Sequence, residues 1–235
     1  MEVIKGNAFI CKVEPHGNTS CIIHLFSKEN GVITGYLKGA TTSPLKRNIC
    51  KLGNFTEFTW KARVLSQLGT LELSCIDNFS TVFTLVKYSI VNTVCEMLIV
   101  LLQKNDPHPD IFEKTLDLFY FLKTNNNDNI SVLKKYVWFE IDLMSSLGFG
   151  YNFKECNISG SIPEFISPKT GNVVSKDIAK GYEDKLFRIP LFVLNENYIP
   201  SLDDLKKMLD INLHFLKLHL DINHITVRNF MLNLF

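Results

Sequence analysis

The chain lacks the patterns of membrane proteins and of disulfide-rich secreted proteins. Its most apolar run, Met97 to Leu102, is far shorter than the roughly 20 apolar residues that span a bilayer. The N-terminus carries Glu2 and no apolar core followed by small residues, so the pattern predicts no signal peptide. The six cysteines are scattered and include no CxxC pair, which favours free thiols in a reducing compartment. We therefore expect a soluble intracellular protein with no membrane segment.

Signatures of catalysis and of metal binding are also missing. Asp203 and Asp204 are adjacent in a helical pattern and cannot face one another, so a role in the first turn of a helix explains them. His214, His219 and His224 are spaced by five residues and have no cysteine beside them, which disfavours a zinc site. No nucleophile–base pattern or phosphate loop is visible. The sequence predicts no enzyme, no cofactor and no metal.

What is present is a globular composition with an uneven charge. The chain has 235 residues, of which 46% are apolar and 21% charged, so it can bury a substantial core. Residues 1–75 carry nine Lys/Arg and five Asp/Glu, a charge of about +4, whereas residues 76–235 carry sixteen and nineteen, about −3. This asymmetry is typical of a chain with one surface for a polyanion.

The first 78 residues read as strands. Asn30-Gly31 is a strong hairpin signal, and the polar segment from Gly39 to Gly53 reads as a long loop. The predicted strands are Val3 to Val13, Cys21 to Phe26, Val32 to Leu37, Phe55 to Leu68 and Leu71 to Ile76. Five such strands fit a small barrel of the OB type, and an SH3-like barrel would show a similar pattern.

Residues 79–235 have helical periodicity. Gly148 and Gly150 end a central helix, and the apolar, turn-rich segment that follows should fold as a compact loop. The predicted helices are Ser80 to about Gln103, Asp106-Pro107 to Lys123, a central helix from Tyr136, one opened by Ser201, and His224 to Leu234, with a polar linker at Asn125 to Asn129. The loop should be held by Phe149, Tyr151, Phe153, Ile162 and Phe165.

Cations and aromatic residues alternate in the second half of the strand region. Between Gly35 and Leu68, Glu57 is the only acid. The candidate DNA-binding residues are Lys38, Lys46, Arg47, Lys51, Trp60, Lys61 and Arg63. A basic groove with aromatic platforms holds single strands without sequence preference. Alternatively, Phe58 and Trp60 belong to the barrel core and the lysines form a solvated rim.

The order of short motifs resembles the RecO family of bacterial recombination mediators over nearly the whole chain. The matching fragments are Gly35-Tyr36-Leu37-Lys38-Gly39, Leu52-Gly53-Asn54, Trp60-Lys61-Ala62-Arg63, Leu68-Gly69-Thr70, His108 to Glu113, Glu140, Leu147 to Gly150, Cys156, Phe165 to Gly171, Val174-Ser175 and Thr226-Val227-Arg228. Each fragment alone is weak, but their order and spacing together are specific.

The resemblance implies an α+β protein. Residues 1–78 would form a five-stranded OB-fold barrel that binds DNA, and residues 79–235 an all-helical domain that includes the folded loop 148–190. Such proteins bind single- and double-stranded DNA and anneal complementary strands without catalysing a reaction. With RecR they help load RecA onto strands coated by single-stranded-DNA-binding protein. This implies a cytoplasmic, nucleoid-associated protein. A scaffold with little DNA binding of its own is the alternative.

The resemblance also implies a partner site and exposes one departure from the family. The family uses its helical domain for the acidic, Phe-ended tail of single-stranded-DNA-binding protein, and Lys217 and Arg228 are the candidate contacts; a structural role for Arg228 stays open. Some relatives hold a four-cysteine zinc site in the loop, but here Ser159 follows Cys156 at CxxC spacing and no cysteine follows Ser175. Since a closed site needs four ligands, we expect the loop to fold without zinc.

Overall fold

The first part of the chain forms a closed five-stranded barrel. The computed structural model describes residues 1–64, 66–79, 84–123, 128–156, 158–220 and 226–235. The strands are β1 (Glu2–His16), β2 (Ser20–Ser27), β3 (Gly31–Leu37), β4 (Phe55–Ala62) and β5 (Gly69–Asp77). Each predicted strand is confirmed; four have bounds that differ by up to three residues, and β4 ends at Ala62 rather than at Leu68.

The order of the strands around the barrel is β1-β2-β3-β5-β4. All neighbours are antiparallel except β3 and β5, which are parallel and pair only at Gly35–Gly69 and Tyr36–Thr70. This Greek-key order is that of an OB fold, so the OB prediction is confirmed and the SH3-like alternative is not. β1 shifts register between Ile10 and Lys12, and such a bulge bends a strand so that it can serve two sheet regions.

Side chains of alternate strand positions fill the barrel because successive residues of a strand point to opposite faces. The interior cluster consists of Ala8, Ile10, Cys21, Ile23, Leu25, Ile33, Leu37, Ala40, Ile49, Phe58, Trp60 and Leu71. On the outside, Phe9, Phe26 and Phe55 form a second apolar face, and it packs against helices.

The segment from Gly39 to Gly53 is not the loop that we predicted. It contains a short helix, α1 (Pro44–Ile49). Ser43 Oγ accepts a hydrogen bond from the backbone N–H of Lys46 at 3.4 Å, and Pro44 occupies the first turn. Both are helix-start signals. Ile49 anchors the helix in the barrel core.

Two helices follow the barrel: α2 (Leu85–Leu101), capped by Thr84, and α3 (Pro109–Lys123). The predicted cap Ser80 lies outside the described residues. The Phe9 ring lies 5.2 Å from the rings of both Phe112 and Phe119 in α3. Burying a Phe side chain contributes about 1.5–3 kcal/mol, so this contact stabilises the barrel and the helices together.

The central helix is α4 (Asn129–Ser146), longer than predicted and capped by Asp128. The folded loop holds a three-stranded sheet of β6 (Phe165–Ile166), β7 (Val173–Val174) and β8 (Phe187–Arg188), with β6 in the middle. It also holds α5 (Lys176–Ala179) and a 3-10 turn (Glu183–Lys185), and α6 (Leu191–Leu194) follows directly after it. The C-terminal part is therefore helical but not all-helical.

Two further helices complete the chain: α7 (Leu202–Leu220) and α8 (Thr226–Leu232). Ser201 and Asp204 cap α7 reciprocally: the Ser201 N–H donates to Asp204 at 2.9 Å and the Asp204 N–H donates to Ser201 Oγ at 3.2 Å. This confirms the first-turn role of Asp204. Among the helices that the structure describes, none combines the length and the hydrophobicity of a membrane span.

The chain forms two compact units: residues 1–125 with 225–235, and residues 126–224. The first unit contains the barrel, α2, α3 and α8, and the second contains α4, the folded loop and α7. The proposed functional division into 1–78 and 79–235 stays a prediction; the compact unit around the barrel is larger than residues 1–78.

Candidate nucleic-acid interface

Helix α1 gathers four of the predicted cations where β3 ends. Lys46 and Arg47 lie in its last turn, Lys38 directly follows β3, and Lys51 follows the helix. Lys46 Nζ donates to the backbone carbonyl of Lys38 at 2.7 Å. Lys46 is therefore half-buried and held in place, whereas Lys38, Arg47 and Lys51 are exposed and can meet phosphates.

Lys61 has a different environment on the outer face of β4. Its Nζ lies 2.8 Å from Glu72 Oε1 on β5, and this hydrogen bond and charge lower the pKa of Glu72. Glu72 and Lys46 line the same small cavity of about 140 Å³ between α1 and β5. Lys61 is therefore paired with a carboxylate that also lies near Lys46 of α1, whereas Lys38, Arg47 and Lys51 are in none of the ion pairs found among the described residues.

Trp60 does not provide the stacking platform that we predicted. Its side chain is 3% exposed and belongs to the barrel core. Its Nε1 donates to the Thr34 carbonyl at 3.1 Å, so the ring is fixed between strands. The alternative interpretation is therefore confirmed for these two rings: Phe58 and Trp60 are core residues. Arg63 is exposed in the β4–β5 loop.

A partly exposed aromatic face on β1, β2 and β3 joins Tyr36 to His16 and His24, and the two histidines were not singled out from the sequence. Tyr36 Oη donates to Ser20 Oγ at 2.7 Å, and its ring meets that of His16 edge-on with centroids 5.6 Å apart. His24 lies beside them, with Nε2 2.8 Å from Glu14 and Nδ1 3.2 Å from Thr34 Oγ1. The face of strands 2 and 3 is where OB folds bind oligonucleotides.

Strand alternation would have revealed this face. Ile33 and Leu37 belong to the interior cluster, so Thr34, Tyr36 and the following Lys38 share the outer side of β3. The aromatic face is therefore continuous with the cations of α1.

The two predicted partner-binding residues lie in different compact units. Lys217 is exposed in the last turn of α7. Arg228 is 0% exposed in α8, the helix whose Val227 N–H donates to Glu96 of α2 at 3.2 Å. A buried guanidinium presents no surface to a partner, so the prediction for Arg228 is corrected in favour of a structural role.

A buried polar network fixes the second unit. Tyr136 donates to Glu140 one turn further along α4, and Asn212 Nδ2 of α7 donates to Glu140 Oε2 at 3.2 Å. Tyr151 Oη donates to Asn212 Oδ1 at 3.3 Å. Burial, and then the negative charge of Glu140, raise the pKa of Tyr151. The network joins α4, α7 and the start of the folded loop.

The loop around Cys156 contains one thiol and two hydroxyls. Ser159 Oγ lies 3.0 Å from Ser175 Oγ. Burial acts to raise the pKa of the Cys156 thiol, but hydrogen bonds from Ser159 and from backbone N–H groups lower it to about 6.

Over the described ranges, no group of three or more His, Cys, Asp and Glu side chains is arranged to hold a metal ion. The zinc-free loop stays a prediction, which elemental analysis can check. Ile162, expected to support the loop, is 75% exposed.

Comparison with known proteins agrees with the architecture. The family model described as Recombination protein O N terminal matches residues 1–79, and the one described as Recombination protein O C terminal matches residues 82–228. The chain is 28% identical over 221 residues to a protein of Rhodospirillum centenum named DNA repair protein RecO, covering 91% of this chain and 85% of that protein. A protein of Rickettsia bellii with the same name is 26% identical over 228 residues, covering 94% and 90%. This chain therefore belongs to the RecO family of recombination proteins, whose role is in DNA repair.

Proposed function

We propose that this protein is a recombination mediator that binds single- and double-stranded DNA and anneals complementary strands. With RecR, it would help load RecA onto strands coated by single-stranded-DNA-binding protein, and it would act in the cytoplasm at the nucleoid. The proposal rests on one observation: on the outer side of β3, the exposed cations of the α1 region lie next to the aromatic face that contains Tyr36.

Annealing needs no catalytic group. Two strands repel one another through their phosphates, and cations that displace the condensed counterions reduce this repulsion. Lys38, Arg47 and Lys51 can do this because they are exposed and none of the ion pairs found among the described residues includes them. We propose a non-enzymatic mediator, in line with a family of recombination mediators.

A protein-interaction scaffold with little DNA binding is the second candidate. The formal net charge of +1 and the ion pair of Lys61 with Glu72 favour it. Under either function, Lys217 remains the proposed contact for the acidic tail of single-stranded-DNA-binding protein, because it is the exposed member of the predicted pair.

Binding of a fluorescent oligothymidylate, measured by anisotropy at several salt concentrations, separates the two candidates. The triple variant Lys38→Glu, Arg47→Glu, Lys51→Glu should bind at least about tenfold more weakly. Its salt slope should fall by about 2, since each lost phosphate contact removes about 0.7 on single strands.

The matched control is Lys169→Glu, Lys176→Glu, Lys180→Glu. These three lysines are exposed in the second unit, so the control changes the net charge equally and should keep most of the affinity. Wild-type protein that binds neither single strands nor duplexes at low salt would favour the scaffold. Equal losses in both triple variants would show that the α1 cations are not the site.

A further inference from the structure

A cleft of about 350 Å³ opens beside β3, where it separates from β5. The two strands pair only at Gly35–Gly69 and Tyr36–Thr70. Before Gly35 their edges diverge, and the β4–β5 loop borders the gap on one side. The connection between α2 and α3 borders it on the other. Such a volume is at the small end of ligand sites, roughly 300–1,000 Å³, so it suits one heterocyclic ring better than a folded segment.

The cleft combines apolar walls with a polar rim. The apolar lining residues are Ile4, Val32, Ile33, Trp60 and Leu68, and the polar ones are Thr34, Ser66, Gln67, Lys104 and Asn105. Since Trp60 is nearly fully buried, only a small part of its ring reaches the cleft. The amides of Gln67 and Asn105 can each donate and accept, as the hydrogen-bonding edge of a base requires.

The α2–α3 connection is held firmly against β3. Lys104 forms a parallel bridge with Val32, and the Asn105 N–H donates to the Val32 carbonyl at 3.2 Å. Gly31, at φ 61°, allows this approach, because a Cβ there would lie 2.1 Å from the Asp106 carbonyl oxygen. Lys104 is therefore held at the rim of the cleft, where its side chain is exposed. None of the ion pairs found among the described residues includes it.

The cleft adjoins the proposed strand-binding face. Thr34 lines the cleft and lies on the outer side of β3 together with Tyr36. A strand that follows this face toward the start of β3 would reach the cleft and then Lys104.

We infer that the cleft binds one unstacked base of single-stranded DNA, with Lys104 contacting an adjacent phosphate. This site rests on the proposed function, and it extends the DNA interface beyond residue 78 into the family's C-terminal region. A duplex keeps its bases stacked and cannot fill the cleft.

Trp60 offers a direct test. The chain has two tryptophans, so Trp138→Phe leaves Trp60 as the only one. Unlabelled oligothymidylate should change Trp60 emission with the same midpoint as binding measured by anisotropy. A blunt duplex and a strand of abasic sugar–phosphates of equal length should leave it unchanged. The double variant Gln67→Ala, Lys104→Ala should bind oligothymidylate about tenfold more weakly, whereas the control Lys180→Ala should bind as wild type does.

Oligothymidylate that binds without changing Trp60 emission, and equally well in the double variant, would overturn the cleft and leave the proposed function intact. An equal change of emission with the abasic strand would also overturn it, since the backbone alone would be the cause. Absence of all DNA binding would overturn the proposed function and the cleft together.

Discussion

The indole of Trp60 is bound to β3 through the hydrogen bond from its Nε1 to the Thr34 carbonyl. This bond crosses the seam between β3 and β5 just before the two strands begin to pair. Trp60 therefore closes the barrel at this point, and substitutions around the ring should act first on stability.

Gly69→Ala should destabilise the first unit. A Cβ at Gly69 would lie 2.2 Å from Cε2 of Trp60, and overpacking a core costs about 1–3 kcal/mol. Urea denaturation should show this loss of free energy of unfolding, whereas the exposed control Ser66→Ala should stay within about 0.5 kcal/mol of wild type. In a Trp60→Phe background the cost should shrink, because the smaller ring leaves room. An equal cost in both backgrounds would assign the effect to the Gly69 backbone instead.

Arg228→Ala should destabilise the protein, and Lys217→Ala should not. Truncating a fully buried large side chain leaves a cavity and costs about 2–5 kcal/mol. The exposed Lys217 should change the free energy of unfolding by less than about 0.5 kcal/mol. Chemical denaturation of the two variants measures both changes in the free energy of unfolding. A stable Arg228→Ala variant that loses only binding of the acidic tail would restore Arg228 as a partner contact.

Asn212→Leu should weaken the second unit, because it removes one donor to Glu140 and the acceptor of Tyr151. A buried polar group that loses its partner costs about 1–3 kcal/mol. Thermal unfolding followed by circular dichroism should show a lower midpoint. Tyr151→Phe removes only the outer bond of the network and should cost less; a larger loss for Tyr151→Phe would contradict the order of bonds described above.

Cys156 should ionise near neutral pH. Its pKa of about 6 in the folded protein is below the ordinary value of 9.0, so the thiolate stabilises the fold fully above pH 9 and the contribution is lost as pH falls through 6. The difference in thiolate ultraviolet absorbance between wild type and Cys156→Ser should rise in one step near pH 6. Burial raises the pKa of Cys50 to about 11, so Cys50→Ser should keep that step. A step above pH 8 would refute the hydrogen-bonded thiolate.

Short runs rich in strand-forming residues, bounded by turn residues, predicted most of the barrel. Val32 to Leu37, for example, follows the hairpin signal Asn30-Gly31. Helix α1 was missed because its six residues are too few to show a helical period. Its signals, Ser43 and Pro44, also occur in loops. The strands β6, β7 and β8 have two residues each and depend on tertiary contacts.

The candidate site was harder to predict than the fold. Sequence identified the cations but not their partners: the pair Lys61–Glu72 depends on the register between β4 and β5. The burial of Arg228 depends on how α8 packs on α2. Lys104 lies in neither a basic run nor a strand, so only the bridge to Val32 links it to the barrel.

The second apolar face of the barrel limits how the chain can be divided into parts. Phe9, Phe26 and Phe55 are covered by α3, which belongs to the other family segment. A chimera that exchanges residues 1–78 alone would set these rings against a foreign helix, and a fragment ending there would leave them in water, prone to self-association. A working chimera should therefore take the barrel and α3 from the same parent.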